Sequence, residues 1–329
     1  MIHPIPPGTR DVLPEEMREL RRLQRALLDV FESRGYGEVS TPAIEYDEVL
    51  ARGDSRTAGV AYRFFDEGDL LALRSDMTVP IARLAASRLA GAQTPLRLCY
   101  MASAYRAVRP QRGQMREFIQ AGVELIGEPA PQGTAEVVEV LEAALDAAGL
   151  DRAVIGLGDA DLYRQLLTEF GVEGEARDSI IGRLATHDLV GLEAELAAVD
   201  GISDEQGATC IALSQLRGGS EVLAEARALG GAAVERATAR LQETYEELER
   251  RGVADRVQID LGLLRDLGYY SGAILEVYDP ALGHVLGGGG RYDGLLKRFG
   301  VDLPAAGFSL YLERVHVAQM EESRRGRGR

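Results

Sequence analysis

The chain has 329 residues, 46% of them hydrophobic, which is enough to bury one large core or two smaller ones in a globular protein. Its 37 Lys and Arg against 52 Asp and Glu leave a net charge of -15. This charge argues against nucleic acid as a partner, because proteins that hold phosphate backbones normally present a basic face.

The sequence also predicts a cytoplasmic location. Its two cysteines, Cys99 and Cys210, are far apart, and no apolar run near the N-terminus has the form of a secretion signal. No stretch reaches the roughly eighteen apolar residues of a membrane-spanning helix. We therefore expect reduced thiols and no membrane association.

The first predicted helix covers residues 14–34. Its apolar residues recur at helical spacing, and Pro14 suits a first turn, where a backbone N–H has no helical partner. A short strand at 38–42 follows, and its proline favours a sheet edge because proline cannot donate to a β-ladder. We interpret this helix and strand as a surface suited to a second copy of the chain.

A strand at 71–74 leads through Ser75 and Asp76 into a helix that begins near Pro80. Two interpretations of this junction stay open. In one, Ser75 or Asp76 caps the helix with Thr78 as its companion. In the other, Asp76 faces a bound ammonium group.

Residues 105–120 predict a β-hairpin that binds an anion. Two strand-like halves flank a turn, and guanidinium groups, which suit carboxylate or phosphate, are concentrated around it. The four arginines concerned are Arg106, Arg109, Arg112 and Arg116. Such a concentration needs a functional reason in so acidic a chain.

The middle of the chain predicts a helical insertion. A strand at 122–127 and a helix at 134–148 precede it, and from 162 to 250 the sequence is rich in Ala, Glu, Leu and Arg at helical spacing. We therefore divide the chain into a first core part at 1–161, the insertion at 162–250, a second core part at 251–320 and a flexible basic tail at 321–329.

Strands resume at 257–261 and 273–278, and two motifs lie near them. Tyr269 and Tyr270 stand beside a glycine, and they either form a packed turn or line a ligand. The four glycines at 287–290 let the backbone approach something closely, which a crowded strand explains as well as a ligand does. Their spacing matches neither a Walker loop nor a dinucleotide fingerprint.

Metal and hydrolase chemistry have little support in this sequence. The four histidines are scattered without helical pairing or neighbouring cysteines, so a zinc site or a serine triad lacks its residues. These histidines are His3, His187, His284 and His316. We expect no metal and no cofactor.

Taken in order, these segments closely resemble the catalytic core of histidyl-tRNA synthetases, which are class II aminoacyl-tRNA synthetases. Residues 7–11 are similar to the opening of that family, the stretch around Pro42 to its dimer-forming first motif, the Arg106 hairpin to its second motif, and residues 304–314 to its third. Residues 265–270 and 288–295 resemble stretches peculiar to the histidine enzymes.

The resemblance implies an α+β fold in which helices flank a six-stranded antiparallel sheet, with a helical insertion, in a homodimer. It also implies a pocket for histidine, in which acids meet the ammonium, guanidinium groups meet the carboxylate and polar side chains meet the imidazole. The implied histidine-binding residues are Asp76, Thr78, Arg106, Gln120, Glu124, Arg265, Tyr269 and Tyr270. No catalytic residue is expected.

Departures from the synthetase pattern concentrate where ATP would bind. Val108 stands in place of a glutamate that helps to position ATP, and an aliphatic side chain cannot make polar hydrogen bonds. Gln114 replaces an arginine, and Tyr311 places a large ring where the family has glycine, two residues before Glu313. We therefore expect ATP to fit poorly, although Arg314 is retained.

In the amino-acid pocket the departures are milder. Asp76 replaces a glutamate, and Asp266 and Gly268 replace a glycine and an aspartate beside the tyrosines. Since the chain ends at Arg329, we also expect no domain that reads the anticodon and no tRNA binding.

Together these features resemble the regulatory subunits of short-form ATP phosphoribosyltransferases, which are paralogues of histidyl-tRNA synthetases. The resemblance implies a non-catalytic subunit that joins a catalytic subunit, commonly in a hetero-octamer, for the first step of histidine biosynthesis. L-histidine would be its feedback effector. Two alternatives stay open: a truncated histidine-activating ligase or synthetase, and a histidine-binding module with another partner.

Overall fold

The computed structural model describes residues 5–53, 59–108, 115–199, 201–265, 268–280, 282 and 284–326. The first half of the chain forms four helices and seven strands within these ranges. They are α1 (Pro14–Ser33), β1 (Gly37–Glu38), β2 (Ile44–Tyr46), α2 (Asp47–Gly53), β3 (Arg63–Asp66), β4 (Asp69–Leu73), α3 (Thr78–Ser87), β5 (Leu96–Tyr105), β6 (Glu117–Ile126), α4 (Gln132–Ala147) and β7 (Val154–Asp159).

The second half contains a run of helices followed by the remaining strands and a last helix. These elements are α5 (Leu162–Glu169), α6 (Gly174–Ala185), α7 (Leu189–Ala198), α8 (Asp204–Gln215), β8 (Arg217–Gly218), α9 (Glu221–Ala228), α10 (Ala232–Arg251), β9 (Val257–Asp260), β10 (Ala273–Tyr278), β11 (Val285–Arg291), a 3-10 helix (Leu296–Phe299), β12 (Ala305–Tyr311) and α11 (Leu312–Gly326). None of the helices in the described ranges is long and apolar enough to cross a membrane.

The main sheet confirms the predicted α+β class but is larger than expected. Over the described residues it has nine strands in the order β1-β5-β6-β12-β11-β10-β7-β9-β8. The six strands from β5 to β7 are antiparallel neighbours, as predicted, whereas β1 joins β5 and β9 joins β7 in parallel. The prediction of six strands was wrong because parallel neighbours need long crossovers, which local sequence patterns do not reveal.

The helical insertion supplies one of these crossovers. Helices α5 to α10 fill residues 162–251 between β7 and β9, and the short strand β8 at the sheet edge lies within this segment. Buried residues of the insertion, such as Leu166, Leu213 and Leu241, share one hydrophobic cluster with the sheet. The division of the chain into core and insertion remains a prediction, since this cluster is continuous.

The first helix follows its sequence pattern closely. Leu20, Leu23, Leu27 and Phe31 are buried, and Pro14 occupies the first turn, as predicted. This face packs on one side of the main sheet together with α4 and α11.

The predicted flexible basic tail at 321–329 overlaps the last helix of the structure. Helix α11 continues to Gly326, and both carboxylate oxygens of Glu322 accept hydrogen bonds from the backbone N–H groups of Asp151 and Arg152. These contacts fix the last turns of the helix against the body of the protein. The residues 327–329 lie outside the described part of the chain.

A separate small sheet precedes the site in the chain. Its strands run in the order β2-β4-β3, and β4 contains most of the strand predicted at 71–74. The sequence did not predict β2 and β3, which have three and four residues. The last strand of this sheet in chain order, β4, is followed directly by the segment that leads into α3.

Strand alternation separates the two faces of the main sheet. On β6, Val123 and Leu125 point into the cluster beneath α1 and α4, so Gln120 and Glu124 point to the opposite face. A second hydrophobic cluster covers that opposite face and includes Met77, Tyr100, Tyr269 and other tyrosines. The candidate site lies within this second layer.

Candidate functional site

The floor of the candidate site is formed by β6, β12 and β11. Register pairs place Gln120 opposite Tyr311 and Glu124 opposite Gly307, so all four residues belong to one face. On the next strand Gly288 lies opposite Ser309 and continues this floor. The glycines on this face, Gly288 and Gly307, leave space above the sheet between the larger side chains.

Two of these glycines are required by close contacts. A Cβ atom at Gly307 would lie 1.9 Å from Oε2 of Glu124, and one at Gly288 would lie 1.7 Å from Nη1 of Arg265. Any side chain at either position would displace a charged group of the site. The sequence allowed two interpretations of the glycine run at 287–290, a crowded strand or a contact with a ligand. In the structure these glycines belong to strand β11, and Gly288 and Gly289 also border the site.

The walls of the site come from three separate segments. Asp76 lies between β4 and α3, and Thr78 is the first residue of α3. Arg106 directly follows β5. The connection from β9 to β10 contributes Arg265, Tyr269 and Tyr270. Seven of the eight predicted histidine-binding residues line one cavity, and the eighth, Glu124, lies beneath it and contacts Thr78. The structure thus brings the predicted residues together; their role stays a prediction.

Asp76 caps a helix and also lines the cavity, while its contact with an ammonium group stays a prediction. Its Oδ1 atom accepts a hydrogen bond of 3.1 Å from the backbone N–H of Val79, so it caps the first turn of α3. The same side chain is 5% exposed and lines the cavity. A buried carboxylate in this position is suited to an ammonium group.

Glu124 is the most enclosed acid of the site. Thr78 donates a hydrogen bond of 2.8 Å to Oε1, and the Tyr292 hydroxyl donates to Oε2. Burial raises the pKa of Glu124 to about 8, and the charge of Asp76 adds to this effect, while the two hydrogen bonds oppose it. Glu124 therefore carries a proton during much of the time at neutral pH.

The two arginines of the site are held by different groups. Nε of Arg106 donates to the carbonyl of Ser75 at 3.1 Å, and its Nη1 donates to the Tyr311 hydroxyl at 3.2 Å. Nη1 of Arg265 donates to the carbonyl of Leu275 at 3.2 Å. Both guanidinium groups border the cavity, where they provide positive charge for an anion.

Several buried polar atoms of the site have no hydrogen-bond partner among the described residues. They are Oε1 of Gln120 and Nε of Arg265, both of which line the cavity, and Oγ of Ser75, which precedes the lining residue Asp76 in the chain. Gln120 does donate through Nε2 to Ser309, at 3.3 Å, so one side of its amide is fixed and the other is not. Buried polar groups are normally paired, so a cluster of unpaired ones indicates a place where a polar ligand binds.

The free space in this cavity is small in the present arrangement. About 20 Å³ remains between the lining side chains, enough for roughly one water molecule. An amino acid enters only if lining side chains move. Arg265 and Tyr270 are suited to this movement because they lie in the connection between β9 and β10 and not on the sheet.

Sequence reasoning missed two polar residues of the site, Tyr292 and Ser309. Tyr292 is 2% exposed and bonds to Glu124, and its ring contacts that of Tyr269 with centroids 6.0 Å apart. The signal for Tyr292 was present, because it belongs to the stretch 288–295 that resembles the histidine enzymes. Ser309 lies in the stretch 304–314 that resembles the third motif, but its position at the site follows only from its pairing opposite Gly288.

A second cavity of about 150 Å³ lies next to Arg106 and borders Val108, Tyr311, Glu313 and Arg314. The Tyr311 ring stacks against the guanidinium of Arg314, 4.5 Å from its centroid. Burial alone would raise the pKa of Tyr311, but Arg106, Arg265 and Arg314 outweigh it and lower the pKa to about 8. Tyr311 thus contacts both Arg106, through its hydroxyl, and Arg314, through its ring.

The side chains of two further residues near this cavity form hydrogen bonds with backbone groups. Arg314 donates to the carbonyl of Val285 at 2.7 Å, and Glu313 accepts from the backbone N–H of Ile119. The remaining residues singled out in the sequence, Arg109, Arg112, Gln114 and Asp266, lie outside the described residues. No group of three or more potential metal ligands occurs in the described ranges.

Comparisons with known proteins agree with the resemblance seen in the motifs. The sequence model of the family named histidyl-tRNA synthetase matches residues 8–315. The ATP phosphoribosyltransferase regulatory subunit of Moorella thermoacetica is 42% identical over 320 residues, which cover 96% of this chain and 82% of that protein. That of Symbiobacterium thermophilum is 42% identical over 322 residues, covering 97% and 80%.

Solved structures share the fold. A Bacillus halodurans protein described as an ATP phosphoribosyltransferase regulatory subunit/histidyl-tRNA synthetase superimposes with a TM-score of 0.87 at 33% identity, covering 97% of this chain and 84% of that one. The histidyl-tRNA synthetase of Nostoc sp. PCC 7120 has a TM-score of 0.80 at 24% identity, covering 98% and 76%. The chain therefore belongs to the histidyl-tRNA synthetase-like family of ATP phosphoribosyltransferase regulatory subunits.

Proposed function

We propose that this chain binds free L-histidine in the cavity above β6 and β12, and that it transmits feedback inhibition to a catalytic ATP phosphoribosyltransferase subunit. The observation that carries the proposal is the pair of unpaired buried polar atoms on Gln120 and Arg265, which both line one cavity. Regulatory subunits of this enzyme are the relatives reported above, and their name supplies the catalytic partner.

The chemistry of the cavity matches the three polar parts of histidine. Asp76 provides a buried negative charge for the ammonium group, and Arg106 and Arg265 provide guanidinium groups for the carboxylate. Glu124 and Tyr270 provide a carboxyl and a hydroxyl for the two ring nitrogens. A site of this kind rejects apolar isosteres because they would leave its buried polar groups unpaired.

The chain is a regulatory subunit without catalysis of its own in this proposal. ATP would need both Arg106 and Arg314, and each of them contacts Tyr311. The aliphatic Val108 borders the same cavity and provides no polar contact for a nucleotide. The cavity therefore lacks complementarity to the transition state of adenylate formation.

The proposed assembly is a homodimer within a cytoplasmic hetero-octamer. The small sheet exposes an apolar face that includes Ile44, Tyr46 and Phe64 and is suited to self-association. Binding of tRNA is not part of the proposal, because the net charge of -15 disfavours a phosphate backbone.

Calorimetric titration of histidine into the full chain tests the pocket. We expect Asp76→Asn to weaken binding roughly ten- to a hundredfold, since it removes one charge-assisted contact to the ammonium group. Asp69→Asn is the matched control, because Asp69 is exposed at the start of β4 in the turn after β3. Histidinol, which lacks the carboxylate, should also bind more weakly than histidine. Unchanged affinity in the Asp76 variant would refute the assignment of this pocket.

One observation favours a second candidate function, activation of histidine as its adenylate. Arg314 is retained and a cavity of about 150 Å³ borders it. Histidine-dependent exchange of labelled pyrophosphate into ATP distinguishes the two functions. We expect none, and exchange above a protein-free control would identify the chain as an enzyme.

A further inference from the structure

Glu124 lies at the bottom of the site with hydroxyl groups around it. Thr78 and Tyr292 each contact one of its oxygens, and the residue is 1% exposed. Over the described residues, no basic side chain forms an ion pair with it. A buried carboxyl group without a cation keeps its proton more readily than an exposed one.

The groups that face Glu124 come from every element packed against it. Leu98 from β5 and the backbone of Gly307 from β12 flank it within the sheet. Asp76 is the nearest acid, and its charge opposes ionisation of Glu124. The phenols whose titration Glu124 influences are Tyr36, Tyr100, Tyr269, Tyr270 and Tyr292.

We propose that Glu124 and the imidazole of bound histidine share a single proton, and that Tyr292 is the positioning residue that holds the carboxyl group for this exchange. The inference rests on the proposed function and specifies how its site recognises the ring. Hydroxyl groups both donate and accept, so Thr78 and Tyr292 accommodate either location of the proton. In the complex, the shared proton is located either on the imidazole ring of the ligand or on the carboxyl group of Glu124.

Counting protons gives the dependence on pH. The complex holds one proton between Glu124 and the ring at all pH values of interest. Free Glu124 titrates at about 8, and the imidazole of free histidine near 6.5. Between these values Glu124 already carries the proton and the imidazole is neutral, so binding neither takes up nor releases a proton.

Outside this window histidine binding becomes weaker. Above it, Glu124 has lost its proton, and the complex must take one up from solution, which weakens binding about tenfold between pH 7 and pH 9. Below it, the free ligand carries a proton that the complex must release, so affinity falls again. Affinity is therefore greatest near neutral pH.

Isothermal titration of histidine into the full chain from pH 5.5 to 9, in pairs of buffers with different ionisation enthalpies, measures both affinity and proton uptake. We expect proton uptake to rise from near zero at pH 7 towards one at pH 9. Because the ammonium group of free histidine also titrates at the alkaline end, Glu124→Gln provides the comparison: it should remove the uptake that belongs to Glu124. Glu117→Gln, which changes an exposed residue at the start of the same strand, is the control and should behave as the parent.

A second variant keeps the test valid if Glu124→Gln does not fold. Tyr292→Phe removes a hydrogen bond that lowers the pKa of Glu124, so its alkaline loss of affinity should move to higher pH. Affinity and proton uptake that are the same from pH 6.5 to 9 in the parent and in both variants would overturn the shared proton while leaving histidine binding intact. Absence of binding at every pH would instead overturn the proposed function, and this inference with it.

Discussion

Tyr311 contacts both arginines that a nucleotide phosphate would need. Its hydroxyl accepts a hydrogen bond from Arg106, and its ring stacks on Arg314 and, edge to face, on Phe118. The two guanidinium groups that would bind an ATP phosphate are thus already in contact with a phenol, whose pKa the arginines around it lower to about 8. One residue accounts for both the reduced space and the reduced electrostatic complementarity.

Replacement of this ring should restore part of a nucleotide site. In Tyr311→Gly the cavity beside Arg314 joins the space left by the ring, and both guanidinium groups become available to phosphate. We expect ATP binding at least fivefold tighter than in the parent, measured by fluorescence of a labelled ATP analogue with competition by ATP. Tyr311→Phe is the control: it removes the hydroxyl but keeps the ring, so it should gain little. Equal affinity in all three proteins would contradict this account of Tyr311.

Motif order selected, without geometry, most of the residues that the structure places around the cavity. Asp76, Arg106, Gln120 and Arg265 were all assigned in this way. Ser309 was not selected, although it lies in the third-motif stretch, because its contact with Gln120 depends on the pairing of distant strands. The raised pKa of Glu124 could not be predicted either, since it results from burial by segments far apart in the chain.

At the scale of elements, the small sheet exposes an apolar face. Register pairs place Ile44 opposite Leu73 and both Tyr46 and Phe64 opposite Leu71, so these five side chains share one face. Ile44, Tyr46 and Phe64 are exposed by 48%, 51% and 37%. A contiguous apolar face on a soluble protein marks an interaction surface.

We expect this face to contribute to self-association. Phe64→Ser should weaken dimerisation at least tenfold, because it removes an aromatic side chain from the apolar face. Phe65→Ser is a matched control: the neighbouring phenylalanine is 79% exposed but points to the opposite face. Sedimentation equilibrium measures both variants against the parent. If Phe65→Ser has the larger effect, or if neither variant changes the dimer, the interface lies elsewhere.

Elements were predictable where local sequence carried the signal. Helix α1 was predicted almost to the residue because a long amphipathic stripe and a first-turn proline define it. Strands β2 and β3 are too short for a period to be recognised, and β1, β8 and β9 owe their places in the sheet to partners distant in sequence. Pairing between strands that are distant in sequence is determined by the tertiary structure and not by local sequence.

At the scale of the whole molecule, the apolar face and the site are joined by a short segment. Leu73 belongs to the face, Asp76 belongs to the site, and Arg74 between them is 6% exposed. Arg74 donates to the carbonyls of Thr41 and Ser103, at 2.6 and 2.7 Å, and so ties the small sheet to β5. Ligand-induced movement of Asp76 would therefore be transmitted to the exposed apolar face of the small sheet.

Under the proposed function, this connection carries the effect of bound histidine from the pocket to the assembly. A ligand shifts an assembly towards the arrangement that it binds better, by no more than its difference in affinity for the two. If histidine acts through this pocket, a variant that cannot hold its ammonium group should leave the assembly active but insensitive. Asp76→Asn is such a variant, since it alters the pocket and leaves the apolar face of the small sheet unchanged.

The test is to combine the catalytic subunit with the parent chain, with Asp76→Asn or with Asp69→Asn, and to measure phosphoribosyl transfer to ATP at increasing histidine. We expect similar activity from all three without histidine, and a histidine concentration for half-inhibition at least tenfold higher for Asp76→Asn alone. The size follows from the loss of one charge-assisted hydrogen bond, about 1.5 to 3 kcal/mol. Inhibition that is as strong in the Asp76 variant as in the other two would place the effector site outside this pocket, at a surface shared with the catalytic subunit.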